Sequence, residues 1–114
     1  MRLVTAVFQP DKLNEVREAL AAVQITRMTV SRATGRGRQA DDEELYRGQV
    51  IVPDLIPKVR IEIACGDDQV KKICEAIIKS AKHGTGKIGD GKIFVTKLEE
   101  CIRIRTGESG SEAI

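Results

Sequence analysis

The chain reads as an α+β domain built from two β-α-β units in succession. Short β-forming runs alternate along the chain with two stretches whose apolar residues recur at helical spacing, and 114 residues suit one domain. A long polar segment separates the two units, so the order is β-α-β, loop, β-α-β.

Arg2 to Phe8 is an apolar run rich in β formers, ended by Pro10. Asp11 offers an N-cap, and Leu13, Val16, Leu20 and Val23 then repeat at the spacing of one helix face. From Ile25 to Ala33, Met28 and Val30 alternate with Thr29 and Ser31, which predicts a strand. The segment "GRGRQADDEELYRGQVIVPDLI" follows. Its "QVIV" suits a brief strand, but Pro53 argues against a central one.

Val59, Ile61 and Ile63 alternate with Arg60, Glu62 and Ala64 in a clear strand. "GDDQVKKICEAIIKSAK" is the best helix: Val70, Ile73, Cys74, Ile77, Ile78 and Ala81 form one stripe. Asp67 and Asp68 complement its N-terminus, Lys79 and Lys82 its C-terminus. "KIFV" and "CIRIRTG" read as two further strands. The order matches the ferredoxin-like split βαβ arrangement, with both helices on one sheet face. Thr29, Arg60, Glu62, Arg103 and Arg105 are expected on the other.

Three aromatics, Phe8, Tyr46 and Phe94, leave the core to Val, Ile, Leu and Ala. A net charge of +2 marks neither a nucleic-acid binder nor a membrane-surface protein. "MRLVTAVFQP" is too short and interrupted for a signal peptide, and no apolar run approaches a membrane span. Three scattered cysteines and one histidine, His83, assemble no zinc spacing and suggest reduced thiols in a cytoplasmic protein.

Chemistry concentrates in "TGKIGDGKIFV". From Gly86 it fits G-x-x-x-x-G-K, but Ile93 stands where a P-loop needs Ser or Thr, and a strand follows instead of a helix. Gly84, Gly86, Gly89 and Gly91 let backbone N–H groups turn toward an anion, and Lys87 and Lys92 add charge. An ordinary flexible turn fits the same glycines. Arg103 and Arg105, two apart on an expected strand, would share a face. They either hold an anion between them or pair with carboxylates such as Glu62 or Glu99. No nucleophile–base pair stands out, which argues against a hydrolase or transferase. The long loop, with Tyr46, Arg47 and "VIV", suits an adaptable surface for a partner protein.

Taken together, "TGKIGDGKIFVTKL", "GRGRQ", "ELYRG", "PKVRIEI" and "IRIRTGE", in this order, resemble the PII nitrogen-regulatory signalling proteins over essentially the whole chain. The resemblance implies a homotrimer of ferredoxin-like subunits that binds ATP or ADP between neighbours and, with Mg²⁺ and ATP, 2-oxoglutarate. It further implies a protruding loop at about 37–55 that engages an ammonium channel, a nitrogen-assimilation enzyme or a sensor kinase, and a flexible tail from about 107. By the same resemblance, Gly89, Asp90, Gly91 and Lys92 match the phosphate-binding loop, and Gly37, Arg38 and Gln39 the loop base that closes over it. Arg103 and Arg105 match a pair that reaches the phosphates from the adjacent subunit. Thr29, Glu62 and Ala64 fall where the adenine pocket is expected. Gln39 matches the Mg²⁺ ligand and Lys58 the partner of a 2-oxoglutarate carboxylate.

The departures carry meaning. Ile51 replaces the tyrosine that many members have uridylylated, and Gln49 replaces a serine that some have phosphorylated. No covalent switching is expected at either. Tyr46, Arg47, Gly48 and Ile51 remain as partner-binding candidates, with Arg47 matching the loop-tip arginine of channel-binding members. "KHGTG" is about two residues longer than in common members, which would alter the rim of the nucleotide pocket. Two rival readings are a small ATP-using phosphotransferase, for which the sequence offers no base, and an RNA-binding module, for which the sheet offers only Phe8 and Phe94.

Overall fold

A computed structural model describes residues 1–36, 44–46, 49–51, 55–84 and 89–114. Strand β1, Arg2–Phe8, turns Val4, Ala6 and Phe8 into the core, every second residue as its pleat requires. Pro10–Lys12 forms a 3₁₀ turn, and helix α1, Leu13–Ala22, starts after it. The expected N-cap at Asp11 is therefore corrected: Lys12 precedes the helix, and no side chain caps it. Pro10, with its fixed φ, starts a tighter turn first.

Val16 and Leu20 bury the inner face of α1. The helix ends in a left-handed residue, Gln24 at φ 66°, which lets Gln24 N–H donate to Ala21 O at 2.9 Å and Ile25 N–H to Leu20 O at 2.9 Å. Ile25 is thus buried beneath the helix end rather than opening the next strand. Strand β2 runs Thr29–Gly35, four residues later than the alternation predicted.

In the long loop, β3 (Glu44–Tyr46) and β4 (Gln49–Ile51) pair antiparallel, with Tyr46 opposite Gln49. The second of these is the brief strand expected from "QVIV". Strand β5, Ile56–Cys65, begins upstream of the predicted run and buries Val59, Ile61, Ile63 and Cys65. A second 3₁₀ turn, Asp67–Gln69, leads into α2, Val70–Ala81. Ile73, Ile77 and Ala81 are buried, whereas Ile78, expected in the same stripe, is 47% exposed on its flank. Strand β6, Gly91–Lys97, completes the sheet.

The four long strands lie in the order β2-β5-β1-β6, every neighbouring pair antiparallel. Each β-α-β unit is split by a strand of the other, which is the ferredoxin-like arrangement. Side chains from both helices and from one sheet face make the single core cluster. Opposite faces alternate with the register, so Thr29, Arg60 and Glu62 share the open face, Thr29 directly beside Glu62.

The final predicted strand is not formed. Ile102 makes one isolated bridge with Ser109, and the chain reverses between them: Arg103 N–H donates to Glu108 O and Gly107 N–H to Arg103 O, both at 2.8 Å. Positive φ at Gly107 and Gly110 permits this reversal. Arg103 and Arg105 consequently do not stand together on the open sheet face, and Ile102 and Ile104 are 61% and 100% exposed.

Candidate functional site

At the end of the sheet where β1 and β5 approach the glycine loop lies a groove of about 420 Å³. Lys58, Gly89, Asp90, Gly91 and Lys92 line it, together with Val7, Gly35, Arg36 and Phe94. Backbone register explains why these residues meet. Lys92 opposes Val7 on β1, Val7 opposes Arg60 on β5, and Lys58, two residues along, opposes Ala33 near the end of β2. Lys58, Val7, Lys92 and Phe94 all belong to the open-face set.

The glycine loop is fixed where it enters β6. Gln9 Nε2 donates to Gly89 O at 2.9 Å, and His83 N–H donates to an Asp90 carboxylate oxygen at 2.9 Å. Gly91 has φ 115°, and a Cβ there would run into the Val7 carbonyl oxygen and lie 2.9 Å from Phe8 Cα. No other residue type fits this position without moving the β1 backbone. Two lysines and an arginine thus border a glycine-bordered concavity whose one carboxylate already accepts a backbone N–H. That composition suits a polyanion.

The remaining expected site residues divide. Thr29, Glu62 and Ala64 lie on the open face, but Glu62 is four residues along β5 from Lys58, about 13 Å of strand. Thr29 and Lys92 sit on opposite edge strands, three strand spacings or about 14 Å apart. Glu62 Oε1 lies 3.5 Å from Arg60, the neighbour on its own strand. Arg103 pairs with a carboxylate, as one of its two alternatives had it, but with Glu108 at 3.5 Å, and it also donates to Glu112 O at 2.9 Å. Arg105 is exposed in the turn. The tail returns to the Thr29 end of the sheet, where Arg27 donates to Ile114 O at 3.4 Å. One chain therefore presents two separate groups, one at each end of the open face.

Gly37, Arg38, Gln39, Arg47 and Gly48 lie outside the described residues, while Tyr46 and Ile51 belong to the β3–β4 hairpin. Sequence reasoning missed Val7, Gly35, Arg36 and Phe94 as groove residues, and Gln9 and His83 as the groups that fix the loop. Alternation along β1 and β6 held the signal for Val7 and Phe94; the bond from Gln9, eighty residues from Gly89, and the local bond from His83 to Asp90 had none.

The three cysteines are free thiols, Cys65 buried and the others half-buried. Burial pushes the thiols of Cys65 and Cys74 up from their ordinary value. Among the described residues no helix is long and apolar enough to cross a membrane, and no group of His, Cys, Asp and Glu could hold a metal.

A split βαβ sheet whose glycine loop leads into a strand, with a hairpin between its two halves, defines a ferredoxin-like domain. The family model described as nitrogen regulatory protein P-II matches residues 1–108, and the chain belongs to that family. It is 53% identical to the nitrogen regulatory protein P-II of Bradyrhizobium diazoefficiens and 53% identical to that of Azospirillum brasilense, each over 114 residues covering all of both chains. It is 48% identical to nitrogen regulatory protein P-II 2 of Methanothermobacter thermautotrophicus, covering all of this chain and 97% of the relative.

Proposed function

We propose that this chain is a non-enzymatic signal transducer that binds ATP or ADP in the groove bordered by Gly89, Asp90, Gly91, Lys92 and Lys58. The supporting observation is the convergence of Lys58, Lys92 and Arg36 on a concavity where glycine backbone allows close approach. Loop residues Gly37, Arg38 and Gln39 would close over the phosphates. Because Thr29, Glu62 and Ala64 lie at the other end of the open face, a neighbouring chain would supply them, with Arg103 and Arg105, in a homotrimer.

Magnesium would arrive with the nucleotide. Mg²⁺ takes oxygen ligands, mostly from phosphates and water, and the described groove is cationic rather than carboxylate-rich. Gln39 would add one oxygen, and 2-oxoglutarate would complete the ion's shell while its distal carboxylate pairs with Lys58. The loop carrying Tyr46, Arg47, Gly48 and Ile51 would report ligand state to a cytoplasmic partner: a channel, an assimilation enzyme or a kinase. Ile51 offers no hydroxyl, so reporting would proceed without uridylylation there.

The test is calorimetric titration with 2-oxoglutarate, alone and with the protein saturated by Mg-ATP. Heat only in the presence of Mg-ATP is the expected result, since a shared metal couples the two ligands. ATP binding without any 2-oxoglutarate response would reduce the protein to an adenylate reporter. Absence of ATP binding would overturn the reading.

A further inference from the structure

We infer that the turn at residues 107–113 is a built-in anion cap on Arg103, which nucleotide phosphates must displace, so that binding is coupled to release of the turn. That coupling rests on the reading of Arg103 as a phosphate contact donated to a neighbouring copy.

Arg103 is the residue on which the turn closes. Its backbone N–H donates to Glu108 O and its carbonyl accepts from Gly107 N–H, both at 2.8 Å. Gly110 N–H donates to Cys101 O at 3.0 Å, beside the Ile102–Ser109 bridge. The guanidinium then holds the same turn twice. Nη1 lies 3.5 Å from Glu108 Oε1, and Nη2 donates to Glu112 O at 2.9 Å. Beyond it, Ile114 O accepts from Arg27 at 3.4 Å, two residues before Thr29. The turn therefore covers one arginine and reaches the strand end that carries the expected adenine contact.

These bonds occupy what a phosphate would use. A guanidinium grips an oxyanion with two parallel N–H groups. Here both terminal nitrogens are already engaged, one of them by a carboxylate. A phosphate brought to the same nitrogens would meet Glu108 as a like charge, a repulsion relieved when the carboxylate leaves. Little opposes its leaving. The Arg103 and Glu108 side chains are 41% and 42% exposed, and none of Gly110–Ala113 is buried. Exposed ion pairs are weak, so the turn holds Arg103 in place without nucleotide and yields to a polyphosphate. Once Arg103 swings to the phosphates, the turn loses both of its side-chain anchors there.

Calorimetric titration with ADP, paired with hydrogen exchange, tests the cap on the full chain. Glu108→Gln should raise ADP affinity about 2- to 5-fold, the range of an exposed ion pair. Gly110→Ala should raise it too. Its φ of 81° disfavours a side chain although the space around it is open, so the change loosens the turn and alters no charge. In an Arg103→Ala background neither substitution should change affinity. In the native protein, ADP should speed exchange of the Gly110 amide. A gain in Glu108→Gln alone would be the removal of a nearby negative charge and would overturn the cap. Weaker binding in both variants, which would make the turn a support for Arg103, overturns it as well. So does unchanged affinity, or unchanged Gly110 exchange, where ADP binds the native protein. No ADP binding by the native protein overturns the nucleotide reading and the cap with it.

Discussion

Gly91 concentrates the steric demands of the site into one missing methyl group. Its φ of 115° lies in a region that L side chains rarely adopt, and a Cβ would strike the Val7 carbonyl oxygen. Gly91→Ala should therefore destabilise the fold by about 2–4 kcal/mol, combining backbone strain with a forced shift of β1. Denaturant unfolding measures this directly, and a loss below half a unit of that range would mean the β1–β6 contact is looser than drawn. Because Val7 and Lys92 face the groove across the same ladder, the shift should also weaken anion binding. The glycine itself was legible in the sequence. Its partner was not: nothing local to "GDGK" indicates that the backbone it must clear belongs to residue 7, since that approach is set by pairing across more than eighty residues.

At the scale of elements, the sequence revealed most where one physical period dominated. β5 and α2 were readable because Val59, Ile61 and Ile63, and Ile73 and Ile77, face a single core. β2 began later than expected because Gln24 accepts a left-handed conformation without being glycine, which no propensity scale signals. Ile102 and Ile104 alternated with arginines like a strand, yet the only described residue to pair with the segment by a bridge is Ser109 of its own return. Alternation describes a surface, and a strand also needs a neighbour.

The junction of β5 and α2 makes its own prediction. Burial raises the Cys65 thiol first of all, with nearby Cys74 next. A raised thiol keeps its proton in the folded chain after the unfolded chain has lost it. The folded state then binds more protons, so stability should be level below the ordinary thiol value of 9.0 and fall as pH rises beyond it. Cys65→Ala should flatten that alkaline decline while lowering stability throughout, because it removes a buried side chain. Chemical denaturation across pH 7 to 10.5 would read both effects, and a decline unchanged in Cys65→Ala would assign the alkaline loss to another group.

For the whole molecule, the open sheet face matters most because it separates what the nucleotide reading requires to be together. Lys92 and Thr29 occupy opposite edge strands, and Glu62 is about 13 Å along β5 from Lys58. A site shared between copies would bring both groups to one nucleotide, and closed rotational symmetry would then make every interface alike. Complementation tests this without assuming a contact. Lys92→Ala removes a charge from one side, and Glu62→Ala removes the expected adenine contact from the other. In the proposed homotrimer each variant should bind nucleotide weakly, Lys92→Ala by about 1.5–3 kcal/mol for one lost charge-assisted bond. Mixed trimers formed by co-expression should regain native affinity at about one site in four, where an intact Lys92 of one copy meets an intact Glu62 of the next. If both residues instead served a site within one chain, every subunit would carry one lesion or the other. Mixing would then restore nothing, so a biphasic nucleotide titration with a tight quarter separates the two arrangements in one experiment.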